Sequence, residues 1–473
     1  MKNVGFMLKY NEYRNGGFIM KVIVVGDGKV GHALAEQLVG EGHDVTVIEN
    51  DDEVIQRDQD SIDAMYIRGN GANAKCLLDA GVDRCDILIA ATASDETNML
   101  CCLIGKRLGA EYTIARIRDP EFNESQMLLQ QELGIDLAVN PERATASEIS
   151  RLLRYPFAGS IETFARGQVE MVDFRTKEGD PFLGIPMKDL NNRFPSMPKV
   201  LYPVVERDGE VLIPDGNFVF EAGDRAFVIG EPVTISSYFR SIDRESFRIR
   251  SLMSLGGGRI TYYLAKMIIP MGIHMTIFEL KPDKARLLSE QLPKADIILG
   301  DGTDQELLKE QGLELIDAFV ALCDRDEENL MTGMYASQRG VKRVIAKNSR
   351  PAYADILSRI GLDAIVSPKD ITAATILRYV RARQNSNGTS IQRLYRMLNG
   401  QVEAIEFVAK EGDNYLNKPL KQLQLKQGTL VSVIVRQTKV IIPFGNDHIE
   451  AGDRVIIISH GTTVKDLNEV LIK

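Results

Sequence analysis

Val22 to Asn50 reads VIVVGDGKVGHALAEQLVGEGHDVTVIEN, and Ser251 to Leu280 reads SLMSLGGGRITYYLAKMIIPMGIHMTIFEL. In the first stretch an apolar, β-branched run ends on Gly26-Asp27-Gly28-Lys29-Val30-Gly31. Helical spacing then runs to Gly40 and Gly42, and HDVTVIEN ends a second strand on an acid. An unbroken apolar run predicts a buried parallel strand, and the closing glycines predict a helix C-terminus. The second stretch repeats this layout, with Gly256 and Glu279 each 230 residues beyond Gly26 and Glu49.

The repetition continues along the chain. Gly69-Asn70-Gly71 pairs with Gly300-Asp301-Gly302, SDETN (Ser94–Asn98) with RDEEN (Arg325–Asn329), and IARIRDP (Ile114–Pro120) with IAKNSRP (Ile345–Pro351). VEMVDFRTKEGD from Val169 echoes VEAIEFVAKEGD from Val402, and EAGDR occurs at Glu221 and again at Glu450. A period this long is tandem duplication of a whole module, not a solenoid repeat. The predicted fold class is therefore α/β, in two tandem modules. Each is a Rossmann-like parallel-sheet domain followed by a smaller, strand-rich α+β domain. The expected boundaries are 20–140, 141–245, 246–366 and 367–473, preceded by an extension over 1–19 that fits neither module.

Each of these segments is long enough to bury its own core. The net charge of −9, without a block of Lys or Arg, excludes general nucleic-acid binding, which needs a basic face. No run approaches the eighteen apolar residues of a membrane span. The five cysteines form no CxxC pair and read as reduced, buried thiols; with five scattered histidines, no metal site is expected.

The first opening has the G-x-G-x-x-G context of a dinucleotide-binding βαβ unit. Gly26 permits the turn, Gly28 lets backbone N–H groups approach a pyrophosphate, and Gly31 lets helix and strand pack closely. Asp27, Lys29 and Val30 complete the turn at the positive end of the helix. Glu49 is placed to accept hydrogen bonds from ribose hydroxyls and disfavours a 2′-phosphate, so NAD(H) or an adenine mononucleotide is expected rather than NADP(H). Three further loops should converge there, beyond the carboxyl ends of the strands. They bring Asn70, Gly71 and Ala72, then Thr92, Ala93 and Asp95, then Arg116 and Arg118, whose charge would suit ATP or ADP as well as NADH.

In the second opening, Gly256-Gly257-Gly258-Arg259-Ile260, the third glycine is replaced by Thr261, whose hydroxyl could meet a phosphate. Glu279, Asp301, Gly302 and Lys347 stand at the remaining corresponding places. Two readings stay open: a nucleotide site of different preference, or a degenerate one that only holds the fold.

No catalytic residues are assigned. A dehydrogenase needs a proton-transfer group beside the nicotinamide, and neither smaller domain offers a His/Asp/Lys cluster of that kind. EAGDR reads as a turn before a strand, with Asp224 and Asp453 bonding locally. Asn140–Phe157 and Ser367–Asn385 each read as a helix joining a larger domain to a smaller one, as hinge or subunit contact.

From Met20 to Lys473 the chain resembles the TrkA family, regulatory subunits of Trk-type potassium uptake systems that carry two RCK (KTN) modules. VGDGKVG with Glu49, SDETN, IARIR and the repeated EGD…EAGDR segments carry the resemblance. It implies self-association into a ring, as dimer or tetramer, on the cytosolic face of a TrkH/TrkG-type membrane channel. NAD(H), ATP or ADP would act there as regulatory ligands, with no enzyme activity. Asn70, where the family commonly has an acid, and Thr261 are departures. The alternatives are an NAD-dependent oxidoreductase, supported by the fingerprint alone, and a soluble nucleotide-binding scaffold.

Overall fold

A computed structural model of the chain describes residues 19–119, 122, 130, 132–155, 158, 160–243, 249–349, 362, 364–386, 391–398, 401–426 and 428–461. The expected N-terminal extension (all but its last residue), Pro120, Pro351 and the helix stop at Pro156-Phe157 lie outside the described residues.

In chain order the first module runs β1 (Lys21–Val25), α1 (Lys29–Gly40), β2 (Asp44–Glu49), α2 (Asp52–Asp58), β3 (Met65–Arg68), α3 (Ala74–Asp79), β4 (Ile87–Ala90), α4 (Asp95–Leu108), β5 (Tyr112–Arg116), β6 (Leu137–Val139) and α5 (Pro141–Arg154). The strands β7 (Ile161–Phe164), β8 (Val169–Arg175), β9 (Val205–Arg207), β10 (Glu210–Leu212) and β11 (Arg225–Gly230) follow, with α6 (Met187–Arg193) and α7 (Pro232–Ser241). The second module repeats the sequence. It has β12 (Ser251–Leu255), α8 (Arg259–Ile268), β13 (His274–Glu279), α9 (Pro282–Gln291), β14 (Asp296–Leu299), α10 (Gln305–Glu310), β15 (Ala318–Ala321), α11 (Asp326–Gln338), β16 (Arg343–Lys347), β17 (Ala364–Val366) and α12 (Pro368–Ser386). It closes with β18 (Ile391–Met397), β19 (Val402–Val408), β20 (Thr429–Arg436), β21 (Lys439–Ile441) and β22 (Arg454–His460).

The compact units cut across the sequence repeat. One contains the chain up to Ser150 together with Arg250–Val380; the other contains Arg151–Ile249 and the chain from Arg381. The first unit thus holds both Rossmann-like domains and the second holds both smaller ones.

In the first unit each domain has a six-stranded parallel sheet, in the orders β3-β2-β1-β4-β5-β6 and β14-β13-β12-β15-β16-β17. The strand order reverses between β1 and β4, so a crevice opens at the carboxyl end of β1. Helices cover both faces of the first sheet, as the unbroken apolar strands require. Ile23, Val25, Leu77, Leu88, Cys101 and Cys102 fill one side. On the other, Val22, Val24, Leu34 and Leu38 pack with Ala373, Ile376, Leu377 and Val380 of α12. Tyr379 meets Tyr112 edge-on, with ring centroids 6.4 Å apart.

The joining helices are therefore exchanged. The second module's α12 completes the core of the first sheet, and α5 of the first module lies against α8 of the second. Asn140 Nδ2 donates to the Tyr263 hydroxyl (3.1 Å), and the Ser147 hydroxyl lies 3.8 Å from Met267 Sδ. Each fully buried Ile, Leu or Val on α12 is worth about 1.5–3 kcal/mol of burial, so the start of α12 is part of the first domain's core.

In the second unit the two five-stranded antiparallel sheets have equivalent orders, β10-β9-β11-β8-β7 and β18-β19-β22-β20-β21. One core joins them: Phe164, Met171, Phe227 and Ile229 pack with Tyr395, Val402, Val433 and Ile456. The Tyr395 hydroxyl donates to Thr163 O (2.6 Å), and Glu406, fully buried, accepts from Ala165 N (3.0 Å) and Arg454 Nη1 (2.7 Å). The two EAGDR turns are alike. Asp224 and Asp453 accept from Glu221 N and Glu450 N and pair with Arg207 and Arg436. These aspartates hold turns, a local role. Among the described residues no helix is long and apolar enough to cross a membrane.

Candidate nucleotide-binding cleft

The turn after β1 is shaped by two close approaches. Gly26 has φ +92° and donates its N–H to Ile48 O (2.8 Å), which bends the chain off the strand. Gly31 sits so close beneath the turn that a Cβ there would lie 1.8 Å from Gly26 O. Helix α1 consequently starts at Lys29 with its first amides facing the crevice, where they carry partial positive charge. At Gly28 a Cβ would meet nothing within 4 Å, so the backbone is open to whatever occupies the crevice.

Glu49, at the end of β2, is fixed by three backbone donors. Its Oε2 accepts from Asp27 N (2.7 Å), and its Oε1 from Asn50 N (2.7 Å) and Asp51 N (3.0 Å). The carboxylate clamps the turn to the strand and lines the crevice. Asn70 Oδ1 accepts from Ala72 N (2.9 Å) and shapes the loop after β3.

A cleft of about 610 Å³ lies at this point. Of the residues expected from the sequence, it is lined by Gly26, Gly28, Lys29, Val30, Glu49, Asn70, Gly71, Thr92, Ala93, Arg116 and Arg118. Asp27, Gly31, Ala72 and Asp95 do not line it. Asp27 and Gly31 are buried, and Asp95 accepts from Arg118 N and Asp119 N (both 2.8 Å), holding the loop after β5. Arg118 is spent in another way than expected, its guanidinium pairing with Glu142 on α5 (2.6 and 2.7 Å).

Arg116 also lines the cleft. Its Nη1 donates to Thr92 O (2.8 Å), but its Nε is buried without a hydrogen-bond partner. Burial first, then the neighbouring Arg118, holds its pKa below the usual guanidinium value. Lys29 and the first α1 amides add positive charge to the same lining. The cleft therefore fits a phosphate-bearing ligand. The N-terminus of α1, Lys29 and Arg116 share its lining with Glu49 and the Asn70–Gly71 loop. The described lining holds no histidine, cysteine or tyrosine.

The second copy is built differently. Thr261 occupies the Gly31 place, fully buried, and its hydroxyl donates to Gly256 O (2.6 Å), so it faces the turn. Glu279 is buried and accepts from Gly257 N (3.2 Å) and Lys281 N (2.9 Å). Leu288 lies so near that a Cβ on Gly257 would be 2.3 Å from it. Asp301 is exposed and accepts from Thr303 N and Oγ1, which lowers its pKa. Gly257, Gly258, Arg259, Ile260 and Lys347 instead face a second cleft of about 720 Å³, within the same unit, between the two Rossmann-like domains. Gly256, Glu279, Asp301 and Gly302 are not in its lining. Lys29, Val30, Arg116 and Arg118 line both clefts, which makes them contiguous. The larger one is ringed by Lys29, Arg116, Arg118, Arg259, Lys284, Lys347 and Lys369, against Asp119, Glu142 and Asp324.

Sequence reading missed one grouping behind the first cleft. Asp27, His32 and Asp58 come together, with their candidate ligand atoms all within 4.8 Å of one another. Burial pushes the Asp27 carboxyl up, against a hydrogen bond from Tyr66, while the Arg57 hydrogen bond pulls Asp58 down. The spacing, five residues and then a further twenty-six, matches no metal motif, so only the fold displays it.

Residues 22–141 and 253–368 match the TrkA-N domain, and residues 171–243 and 404–471 match the TrkA-C domain. The chain is 31% identical over 459 residues to Trk system potassium uptake protein TrkA homolog 2 of Methanosarcina mazei, covering 95% of this chain and 100% of that one. It is 33% identical over 445 residues to Trk system potassium uptake protein TrkA of Vibrio alginolyticus, covering 93% and 95%. Among solved structures it is similar in fold to the GsuK channel bound to NAD, with a TM-score of 0.62 at 16% identity, over 97% of this chain and 80% of that one. The GsuK RCK domain gives a TM-score of 0.61, also at 16% identity, over 97% of both.

Proposed function

The chain belongs to the TrkA family of Trk system potassium uptake proteins, and on that premise we propose that it is a nucleotide-sensing regulatory subunit that gates potassium flux through a membrane partner. The cleft carries the reading: it brings the N-terminus of α1, Lys29 and Arg116 together with Glu49 and the Asn70–Gly71 loop. A lining without an evident proton-transfer group suits a ligand that is bound and released unchanged. NAD(H), ATP and ADP are the candidate ligands, and a GsuK channel of this fold is described as bound to NAD.

The ligand's phosphates would rest on the amides of α1 with Lys29 and Arg116, and its adenosine would lie toward Glu49, Asn70 and Gly71. Its anionic end would face the contiguous second cleft, where Arg259, Lys284 and Lys347 belong to the other Rossmann-like domain. Occupancy would thereby favour one arrangement of the two domains. A ligand can shift a conformational equilibrium only by its differential affinity for the two states, commonly about 1–3 kcal/mol of coupling. The partner is a TrkH/TrkG-type channel subunit, with the chain self-associated into a ring on its cytosolic face.

The test is nucleotide titration of the full chain, alongside potassium uptake in cells co-expressing it with the membrane subunit. Gly28→Val should abolish both nucleotide binding and nucleotide-dependent uptake. Uptake that ignores the chain, with no adenine nucleotide bound, would remove this reading. Hydride transfer abolished by the same substitution would put an oxidoreductase in its place.

A further inference from the structure

We propose that Asp27, His32 and Asp58 form a binding site for a divalent cation of the zinc class, present in the first Rossmann-like domain and replaced in the second.

The distances fit such an ion. His32 Nδ1 lies 3.4 Å from Asp27 Oδ1 and 3.6 Å from Asp58 Oδ2. Those separations exceed the roughly 2.7–3.2 Å of an N–H···O hydrogen bond. They match the spacing of ligands placed about 2.1 Å from a tetrahedral centre, which lie about 3.4 Å apart. One imidazole nitrogen with two carboxylates is a donor set suited to zinc or a related first-row cation. A water would complete the coordination, as in sites with three protein ligands.

Burial supplies an independent observation. The Asp27 side chain is 0% exposed, and its Oδ1 faces the group without a hydrogen-bond partner. His32 Nδ1 is likewise buried without a hydrogen-bond partner, with the two carboxylates beside it. The outer contacts that orient metal ligands are present: the Tyr66 hydroxyl donates to Asp27 Oδ2 (3.0 Å), and Arg57 holds Asp58 through Nε (2.8 Å) and Nη2 (2.5 Å).

The internal repeat is the control. Gly257, Tyr262 and Leu288 stand at the corresponding places, and Ile297 takes the register position of Tyr66. Leu288 occupies the space that a side chain on Gly257 would need. The second domain keeps the same sheet order without any of these polar groups, so the fold does not require them. A cation here would tie the glycine-rich turn to α1 and α2.

The test uses the full chain stripped with a chelator, titrated with Zn²⁺ alone, and separately with Co²⁺ for its visible spectrum. The double variant His32→Tyr/Asp58→Leu installs the residues that the second domain carries. The wild type should take up one zinc ion more per chain than the double variant. Losing an outer-shell partner costs about 10–100-fold in affinity, so each single ligand substitution should cost at least about tenfold. The cobalt spectrum should lack a thiolate charge-transfer band, because no cysteine belongs to the group. Equal zinc uptake by wild type and double variant would overturn the site. Should the double variant fail to fold, near-isosteric Asp27→Asn decides on the same readout, wild-type affinity in it being the refuting result.

Discussion

Gly28→Ala should leave the melting temperature unchanged and weaken nucleotide binding, whereas Gly31→Ala should lower the melting temperature. At Gly28 the added methyl meets no heavy atom within 4 Å. Alanine is a poorer helix N-cap than glycine by about 1 kcal/mol, and restricting the unfolded chain returns about 0.4–1 kcal/mol. The net change is close to zero. The methyl does enter the space from which a phosphate would reach the α1 amides. Losing one hydrogen bond to a charged group, about 1.5–3 kcal/mol, weakens binding by about 10–150-fold. At Gly31 the methyl would lie 1.8 Å from a backbone oxygen, so turn and helix must separate. Overpacking of this kind costs about 1–3 kcal/mol, a fall of about 2–5 °C for a unit of this size. Thermal unfolding with and without nucleotide, and calorimetric titration of each variant, measure both effects. If Gly28→Ala kept wild-type affinity, or melted as low as Gly31→Ala, the division of labour between the two glycines would be wrong.

Arg116→Gln should weaken ATP or NADH binding by about tenfold or more, since a charged hydrogen bond to phosphate is worth about 1.5–3 kcal/mol, and should reduce the salt dependence of affinity; equal salt slopes in isothermal titrations would count against a phosphate contact. Leu377→Ala, on α12, should destabilise the first Rossmann-like domain by about 2–5 kcal/mol. Hydrogen exchange should speed up on β1 and α1, far away in sequence, and faster exchange confined to the second module would refute the exchanged-helix core. Cys85 and Cys101 have thiols pushed up to about 12 by burial. Folded-state values above the unfolded one of about 8.5 contribute stability that is present below pH 8.5 and lost as pH rises through 12. Both should therefore resist alkylation at pH 8 until the chain unfolds, as mass spectrometry of pulse-labelled protein would show; rapid labelling of the native chain would contradict their burial.

The candidate cleft could be traced in the sequence because its parts are local. A turn that needs φ > 0 at Gly26, a helix that must approach Gly26 O at Gly31, and an acid at a strand end are set by residues a few places apart. Parallel strand order then brings the loops after β3, β4 and β5 to the same edge. Distances that depend on side-chain choice were not legible. Arg118 and Arg116 look equivalent in IARIRD, yet Glu142 on the next helix captures one and leaves the other to the cleft. The sequence left open what the Thr261 hydroxyl meets, and in the fold it donates to the carbonyl of its own turn.

By itself the sequence determined the duplication, the α/β class of each module, the two glycine-rich openings and the family, because each rests on periodicity and on motifs read within one segment. Only the tertiary structure decided that like halves pair with like. It placed α12 in the core of the first sheet, merged the second opening with a cleft shared by both domains, and gathered Asp27, His32 and Asp58. The pairing of the halves, the seat of α12 and the shared cleft depend on which apolar faces find one another across more than two hundred residues. Apolar packing is non-directional, so the pattern within a helix shows that a face must be buried without showing against which partner.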